Sequence, residues 1–446
     1  MARQLCTAFT NLVDMESDLS IQLGMMIDPQ DYRTFAGPDW PSYQRLITGD
    51  CGHTPAIQAE VQDFIKMMQE TYQSRVLHGD ALAQANQQRQ RQIFFDKQYH
   101  GPHCTVPWDT MGINNNGDVF ICQSPSWVPK FVGNILECDD IYEILNSDLA
   151  LSIRQEILQG NYTYCNHKLC GFFGHVSPDL YTTQGPEKQP DKINKSLNIY
   201  LDTIPKNIIL DFDYTCNFVC PSCRTQLINN NNDHVVAPIN DRISQKIKKL
   251  IIDRIENQSV TIRWCGGEPF ISRVYTDLMQ YICAKKPNNV RHILQTNGSY
   301  LKKKSDLILA LLPSMENIRI SFDAACAETY QRVRVNGQWN QLLENVRWLR
   351  EQINQVAPGC RLEADFVVQL DNYQEIPAFV KLCNELNIDR INWQKMWNWG
   401  TWSPVEFSKR NVYTVNHLLY PDLVSVFAAA QQPMQQPSDR QVRQLD

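Results

Sequence analysis

The sequence has no apolar run approaching the ~18 residues that a membrane-crossing helix needs. Its first stretch, MARQLCTAFTNLVDMESD, holds no apolar segment of the kind a secretory signal carries. The chain therefore reads as soluble and cytoplasmic, with no membrane partner. An excess of basic charge is also missing. The 42 Lys and Arg residues are outnumbered by 48 Asp and Glu, for a net charge of −6, which argues against a general binder of nucleic acid or anionic lipid. The one basic run, Lys302-Lys303-Lys304, reads as a solvated helix start rather than a phosphate track.

What the chain has in quantity is cysteine. Fifteen cysteines in a reducing compartment point to metal binding or chemistry rather than disulfides. A length of 446 residues exceeds what one core usually serves, so two or three units are expected. An apolar content of 43% with 20% charged residues is ordinary globular composition.

From about 205 to 400 the pattern alternates strand and helix. Strand-like runs lie at 207–213, 259–264, 291–296, 317–323, 361–368 and 389–395. Helical stripes between them include Ile243, Ile247, Leu250, Ile251 and Ile255, then Val274, Leu278 and Ile282, then Trp339 to Ile353, then Tyr373 to Leu386. Six strands with intervening helices predict a parallel α/β sheet. The first strand gives way to CNFVCPSC, with thiols at Cys216, Cys220 and Cys223. Three thiolates on one tight loop can converge on one small cluster. They are one short of a closed zinc or iron–sulfur site, and a missing ligand points to an open coordination position. Half of a zinc ribbon, or three structural thiols, are the alternatives that this loop alone leaves open.

Residues 100 to 175 hold a second group. Cys104 opens it, and Asn116-Gly117 between two apolar runs signals a hairpin that brings Cys104 and Cys122 towards each other. A helix-like pattern follows from Asp140 to Leu158, then Cys165 and Cys170 in YCNHKLC. Cys138 and His167 are spare ligand candidates. Upstream, Val61, Phe64, Ile65, Met68 and Tyr72 form a helical stripe, while Cys6, Cys51 and His53 have no ligand set around them. The segment with Pro178, Gly185, Pro186 and Pro190 has linker composition. Trp393, Trp397, Trp399 and Trp402 crowd the end of the last strand, where they could pack or could line a substrate mouth. Gln431-Gln432-Pro433 and Gln435-Gln436-Pro437 read as a disordered tail.

The C-x-x-x-C-x-x-C spacing at the end of a strand resembles the signature of the radical S-adenosylmethionine (SAM) enzymes. The resemblance implies that Cys216, Cys220 and Cys223 hold a [4Fe–4S] cluster whose fourth iron is chelated by SAM. Trp264-Cys265-Gly266-Gly267-Glu268-Pro269 is similar to the family's GGEP motif, and Gln295-Thr296-Asn297-Gly298 to its TNG. Ile320-Ser321-Phe322-Asp323, followed by Tyr330 and Arg334, ends the next strand. By resemblance Gly266, Gly267, Glu268, Pro269, Thr296, Asn297, Ser321, Asp323 and Arg334 lie around SAM. Cys104, Gly117 and Cys122, with the following Gly133-Asn134-Ile135, resemble the opening of the auxiliary-cluster modules called SPASM or twitch. Cys165 and Cys170 would complete one auxiliary [4Fe–4S] cluster, with a four-cysteine zinc site as the alternative. That module normally follows the barrel, whereas here it precedes it.

The expected fold is α/β: a partial (β/α)6 TIM-like barrel of radical SAM type, with an N-terminal helical segment and a small twitch-like hairpin and helix module. The expected domains are 1–99 helical, 100–175 auxiliary module, 176–204 linker, 205–402 barrel and 403–446 extension and tail. The resemblance implies reductive cleavage of SAM to a 5′-deoxyadenosyl radical and hydrogen abstraction from a peptide or protein, in an oxidation, crosslinking or epimerisation. It also implies an electron donor such as flavodoxin or ferredoxin. A small-molecule substrate, or a non-catalytic iron–sulfur interaction protein, are the rival readings.

Overall fold

The structure is a computed structural model that describes residues 104–159, 161–166, 170, 198–255, 258–285, 289–414 and 417–430. The helical stripe near residue 65, most of the 176–204 segment, His167 and the Gln- and Pro-rich end lie outside these. The chain divides into two units, one of Met1–Gly101 with Gln159–Thr163, the other of Pro102–Leu158 with Tyr164–Asp446. The second unit carries both cysteine groups.

Its framework is one nine-stranded sheet, in the order β3-β2-β1-β4-β5-β6-β7-β8-β9. The six strands read from the sequence are all present: β4 Asn207–Asp211, β5 Val260–Trp264, β6 Val290–Thr296, β7 Met315–Ser321, β8 Arg361–Val368 and β9 Arg390–Lys395. Every neighbouring pair from β4 to β9 is parallel, which gives the partial-barrel arrangement.

The strands alternate because helices cover one face while polar side chains line the other. Trp264 of β5 meets Tyr275, and Phe366 of β8 meets Phe379. Those partners come from α5 (Arg273–Lys285) and α9 (Ile376–Glu385). The intervening side chains, Arg263 on β5, Arg319 on β7, Glu363 and Asp365 on β8 and Asn392 on β9, face the other way and are polar. The crossovers are completed by α4 (Val236–Leu250), α6 (Ser305–Leu311), α7 (Ala327–Val333) and α8 (Trp339–Val356). Lys302-Lys303-Lys304 forms the 3-10 turn that leads into α6, as the helix-start reading expects.

Three strands extend the sheet beyond β4. After α1 (Val106–Asp109), β1 (Thr110–Asn114) pairs parallel with β4, Thr110 opposite Asn207 and Asn114 opposite Asp211. Strands β2 (Asp118–Phe120) and β3 (Gly133–Asn134) follow antiparallel. The expected Asn-Gly hairpin is there, but its turn differs from the two-residue form. Only Gly117 takes positive φ, at +83°. The Asn114 side chain accepts from the backbone N–H groups of Asn116 and Asp118 at 3.0 and 2.9 Å. A three-residue loop with glycine in the left-handed position results. Arg154, on α3 (Asp148–Leu158), closes the module. Its buried guanidinium donates to the carbonyls of Pro107, Leu145 and Ile199 at 2.8–3.0 Å. The short α2 (Ile141–Leu145) is capped by Asp140, which accepts from the Tyr142 N–H.

Beyond β9 the chain is not all tail. Helices α10 (Pro404–Arg410) and α11 (Tyr420–Ala429) form there, and Phe427 of α11 packs edge-on against Trp393. Of the four tryptophans, Trp393 is core. Trp402 lies under the Arg410 guanidinium, 4.3 Å from its ring centre. Trp397 and Trp399 are exposed. No helix among the described residues is long and apolar enough to cross a membrane.

Candidate active site

The loop after β4 is tied down at several points. Tyr275 of α5 sends its hydroxyl to the end of the strand, where it donates to Leu210 O and accepts from the N–H groups of Phe212 and Asp213. Asp213 in turn accepts from Thr215 Oγ1, Asn230 Nδ2 and Ser272 Oγ. Cys216 makes a single bridge to Ile228. From Cys220 to Arg224 the chain takes one helical turn, with the N–H groups of Cys223 and Arg224 both donating to Cys220 O.

The three thiols differ in surroundings. Cys220 is buried, Cys216 half-buried and Cys223 exposed. Burial, with smaller contributions from Glu268 and Cys220, pushes Cys216 up to about 11. Burial also raises Cys220, against the pull of Arg334. Two guanidinium groups reach these sulfurs. Arg334 Nη1 lies 3.6 Å from Cys220 Sγ, and Arg224 Nη2 lies 3.5 Å from Cys223 Sγ. Asn297 Nδ2 is 3.9 Å from Cys216 Sγ and donates to Asn217 Oδ1 at 2.9 Å.

The loops after the next three strands converge on the same end of the sheet. Gly266 has φ +98°, and Gly267 N–H donates to Asp213 O while Glu268 N–H donates to Thr215 O. A Cβ on Gly267 would lie 2.0 Å from Thr215 O. The glycines are thus required by the backbone that leads to Cys216, a closer constraint than approach to a ligand. Glu268 is buried, beside buried Pro269, and accepts from Thr296 Oγ1 and Asn297 N–H, each at 2.7 Å. Desolvation raises its pKa to about 7, although these bonds oppose the rise. Asp323 has φ +58° and is ion-paired with Arg334 at 2.7 Å. Ser321, which ends β7, is buried and makes no side-chain hydrogen bond among the described residues. Arg334 therefore lies against a carboxylate and a cluster-loop sulfur, a role that the motif by itself does not disclose. Tyr275, Asp213 and Arg224 also belong to the site and were not read from the sequence. Only Arg224, directly after the last cysteine, left a usable signal.

The second group stands elsewhere. Cys104 precedes β1, and Cys122 follows the antiparallel β2, so both lie towards the N-terminal end of β4, opposite to the Cys216 loop. Those two ends are separated by about 13 Å of strand, four rises of roughly 3.3 Å. Burial and the nearby charge of Cys170 raise Cys104 to about 12. Cys122 is raised by burial, Cys104 and Cys170, and Cys165 by burial and the other three. The four thiols are thus electrostatic neighbours. Cys138 is not with them. Its thiol donates to Ile135 O, and its charged neighbours are Lys246 and nearby acids. Among the described residues, no three Cys, His, Asp or Glu side chains are placed to hold a single metal ion.

Residues 212–360 match the family model of the radical SAM superfamily, and residues 104–171 match the SPASM iron–sulfur cluster-binding domain. No curated protein matches the chain. Among solved structures, anSMEcpe with bound AdoMet is 15% identical over 43% of this chain and 51% of its own, with a TM-score of 0.30. Archaeal TYW1 is 14% identical over 46% of this chain and 65% of its own, at 0.27. The methyltransferase TsrM from Kitasatospora setae, with tryptophan and a SAM analog bound, is 14% identical over 42% and 35%, at 0.30. The chain thus spans about half the length of the first of these.

Both thiol sets suit iron–sulfur clusters by their donor chemistry. Burial raises the pKa of Cys104, Cys122, Cys165, Cys216 and Cys220, and a bound metal offsets that cost by taking the thiolate form. Three thiols leave one cluster position open, and four close a cluster.

Proposed function

We propose, for a chain whose residues 212–360 belong to the radical SAM superfamily and whose residues 104–171 form a SPASM iron–sulfur cluster-binding domain, that it is an enzyme that abstracts hydrogen from a peptide or protein substrate. The radical SAM domain implies a [4Fe–4S] cluster and SAM, and the SPASM domain an auxiliary iron–sulfur cluster. When bound, the first cluster and SAM supply one-electron cleavage of the sulfonium to a 5′-deoxyadenosyl radical. The electron comes from a donor of the flavodoxin or ferredoxin type.

The chain's own residues bind and position. Cys216, Cys220 and Cys223 hold the cluster, and Arg334 and Arg224 offset thiolate charge at Cys220 and Cys223. Gly266 and Gly267 lock the loop after β5 onto the cysteine loop. Glu268 holds Thr296 and Asn297, and Asn297 faces Cys216. Ser321, Asp323 and Arg334 complete the SAM side, with Pro269 fixing the turn after Glu268. Cys104, Cys122, Cys165 and Cys170 hold the auxiliary cluster. The observation that carries the reading is the convergence of three thiols, after β4, with the loops that follow β5, β6 and β7. The peptide substrate rests on the SPASM domain alone, a domain type found mostly in peptide-modifying members of the superfamily.

The test is anaerobic reconstitution, reduction and chromatography of the SAM products. The wild type is expected to form 5′-deoxyadenosine, and a Cys216→Ala, Cys220→Ala, Cys223→Ala variant to form none. Equal product from both would refute the assignment.

A further inference from the structure

Among the described residues, the polar face of the sheet carries the guanidinium of Arg263 without an ion pair or a side-chain hydrogen bond. Arg319 on β7 is held by two carboxylates of β8, with Nη2 2.9 Å from Asp365 Oδ1 and Nε 3.7 Å from Glu363 Oε2. Asn392 of β9 donates to both of those carboxylates, and Gln295 of β6 donates to Asp365 Oδ2. Arg361, at the start of β8, shares Glu363. Arg361 also lies 3.9 Å from Glu316, so both of these cations have carboxylate partners.

Arg263 is different. It lies in the middle of β5, opposite Ile209 of β4 and Ile293 of β6, and its neighbour Trp264 is fully buried under α5. Alternation turns Arg263 to the polar face. It is half-buried, yet among the described residues it makes no ion pair and no side-chain hydrogen bond. Its charged surroundings are Cys265, Arg319 and Glu316, and burial together with Arg319 lowers its pKa. An unpaired, partly desolvated guanidinium is costly, and it persists where a ligand completes it. Its planar fork matches two oxygens of one anion.

We propose that Arg263 is the recognition group for an oxyanion, a carboxylate or phosphate carried by the substrate, on the face of the sheet below the Cys216 loop. The inference rests on the reading of this face as the substrate side of a radical SAM enzyme. Arg263 acts as a specificity determinant. It fixes one charged end of the substrate, and the part to be oxidised is thereby held at the C-terminal ends of the strands. In a peptide that end would be an acidic side chain or the C-terminal carboxylate.

The test uses the full chain, anaerobically reconstituted, in low-salt buffer. Glutarate and inorganic phosphate are titrated calorimetrically into the wild type, Arg263→Gln and Arg263→Lys, with neutral glutaramide as the control. The wild type is expected to bind at least one anion about tenfold more tightly than Arg263→Gln. Arg263→Lys should lie between them, since it keeps the charge and loses the fork. Whichever of the two probes binds identifies the oxyanion. Binding of neither, or equal binding by Arg263→Gln, overturns the proposal. So does displacement of the anion by SAM, which would give Arg263 to SAM's own carboxylate. Loss of an unpaired charge should not lower the melting temperature, so a fall of several degrees in Arg263→Gln would reveal a structural partner and also overturn it. Anion binding by a wild type that forms no 5′-deoxyadenosine would instead count against the enzymatic reading.

Discussion

Gly267 shows how a single residue ties two motifs together. Any side chain there meets Thr215 O and the carbonyl carbons of Thr215 and Tyr214, which are backbone atoms that cannot rotate away. Gly267→Ala is expected to push the cysteine loop out of place and reduce 5′-deoxyadenosine formation by about a hundredfold or more. Gly359→Ala, where no atom lies within 4 Å, is the control and should change stability by less than ~0.5 kcal/mol. Equal activity in both variants would contradict the constraint. The GGEP motif was legible in the sequence, but the reason for its glycines was not. That reason is a contact with residues about fifty positions earlier, which only the folded loops create.

Asp211, at the end of β4, carries a pH dependence. Desolvation raises its carboxyl to about 7, above the unfolded value of ~3.9. The folded state then holds the proton more tightly than the unfolded one. Its contribution to stability is complete below about pH 4 and is lost as the pH rises through 7. Asp211→Asn removes that loss. In the unreconstituted protein, the melting temperature of wild type relative to Asp211→Asn should fall between pH 4 and 8. A constant difference would mean that Asp211 is ionised throughout.

At the scale of elements, the joining of β1 to β4 matters most. The sequence shows strands within each segment, since alternation and turn residues are local, and all six strands of the barrel were legible for that reason. It does not show that a strand near residue 110 pairs with one near 210, because nothing in either segment's pattern names its partner. The helix Tyr420–Ala429 was also missed, inside a segment read as extension and tail, and it is explained by Phe427 covering Trp393. One consequence is testable. Arg154 holds two carbonyls of the module, Pro107 O and Leu145 O, together with Ile199 O on the segment that leads into β4. Its burial lowers its pKa to about 10, and Arg154→Met would leave those carbonyls without their donor, at a cost of roughly 3 kcal/mol. Because β1 and β4 share a sheet, the variant should melt earlier in one transition. Separate melting of the 104–158 segment would contradict a shared sheet.

For the molecule as a whole, the two thiol groups lie at opposite ends of β1 and β4, with the polar face that holds Arg263 between those ends. The arrangement predicts two clusters and about eight irons per chain after anaerobic reconstitution, measured by iron analysis and Mössbauer spectroscopy. One cluster with one zinc would remove the auxiliary-cluster assignment and leave the other in place. Cys165→Ala or Cys170→Ala should impair the complete reaction and spare 5′-deoxyadenosine formation, because neither residue belongs to the Cys216 loop.

The most direct measurement is the electron paramagnetic resonance of the reduced protein with and without SAM. In the proposed reading the open position belongs to the set of three thiols, and the set of four closes its cluster. SAM is therefore expected to shift the signal that disappears in the Cys216→Ala, Cys220→Ala, Cys223→Ala variant, and to leave the remaining signal unchanged. A shift in the signal that survives in that variant, or no shift in either, would contradict the division of labour between the two ends of the sheet.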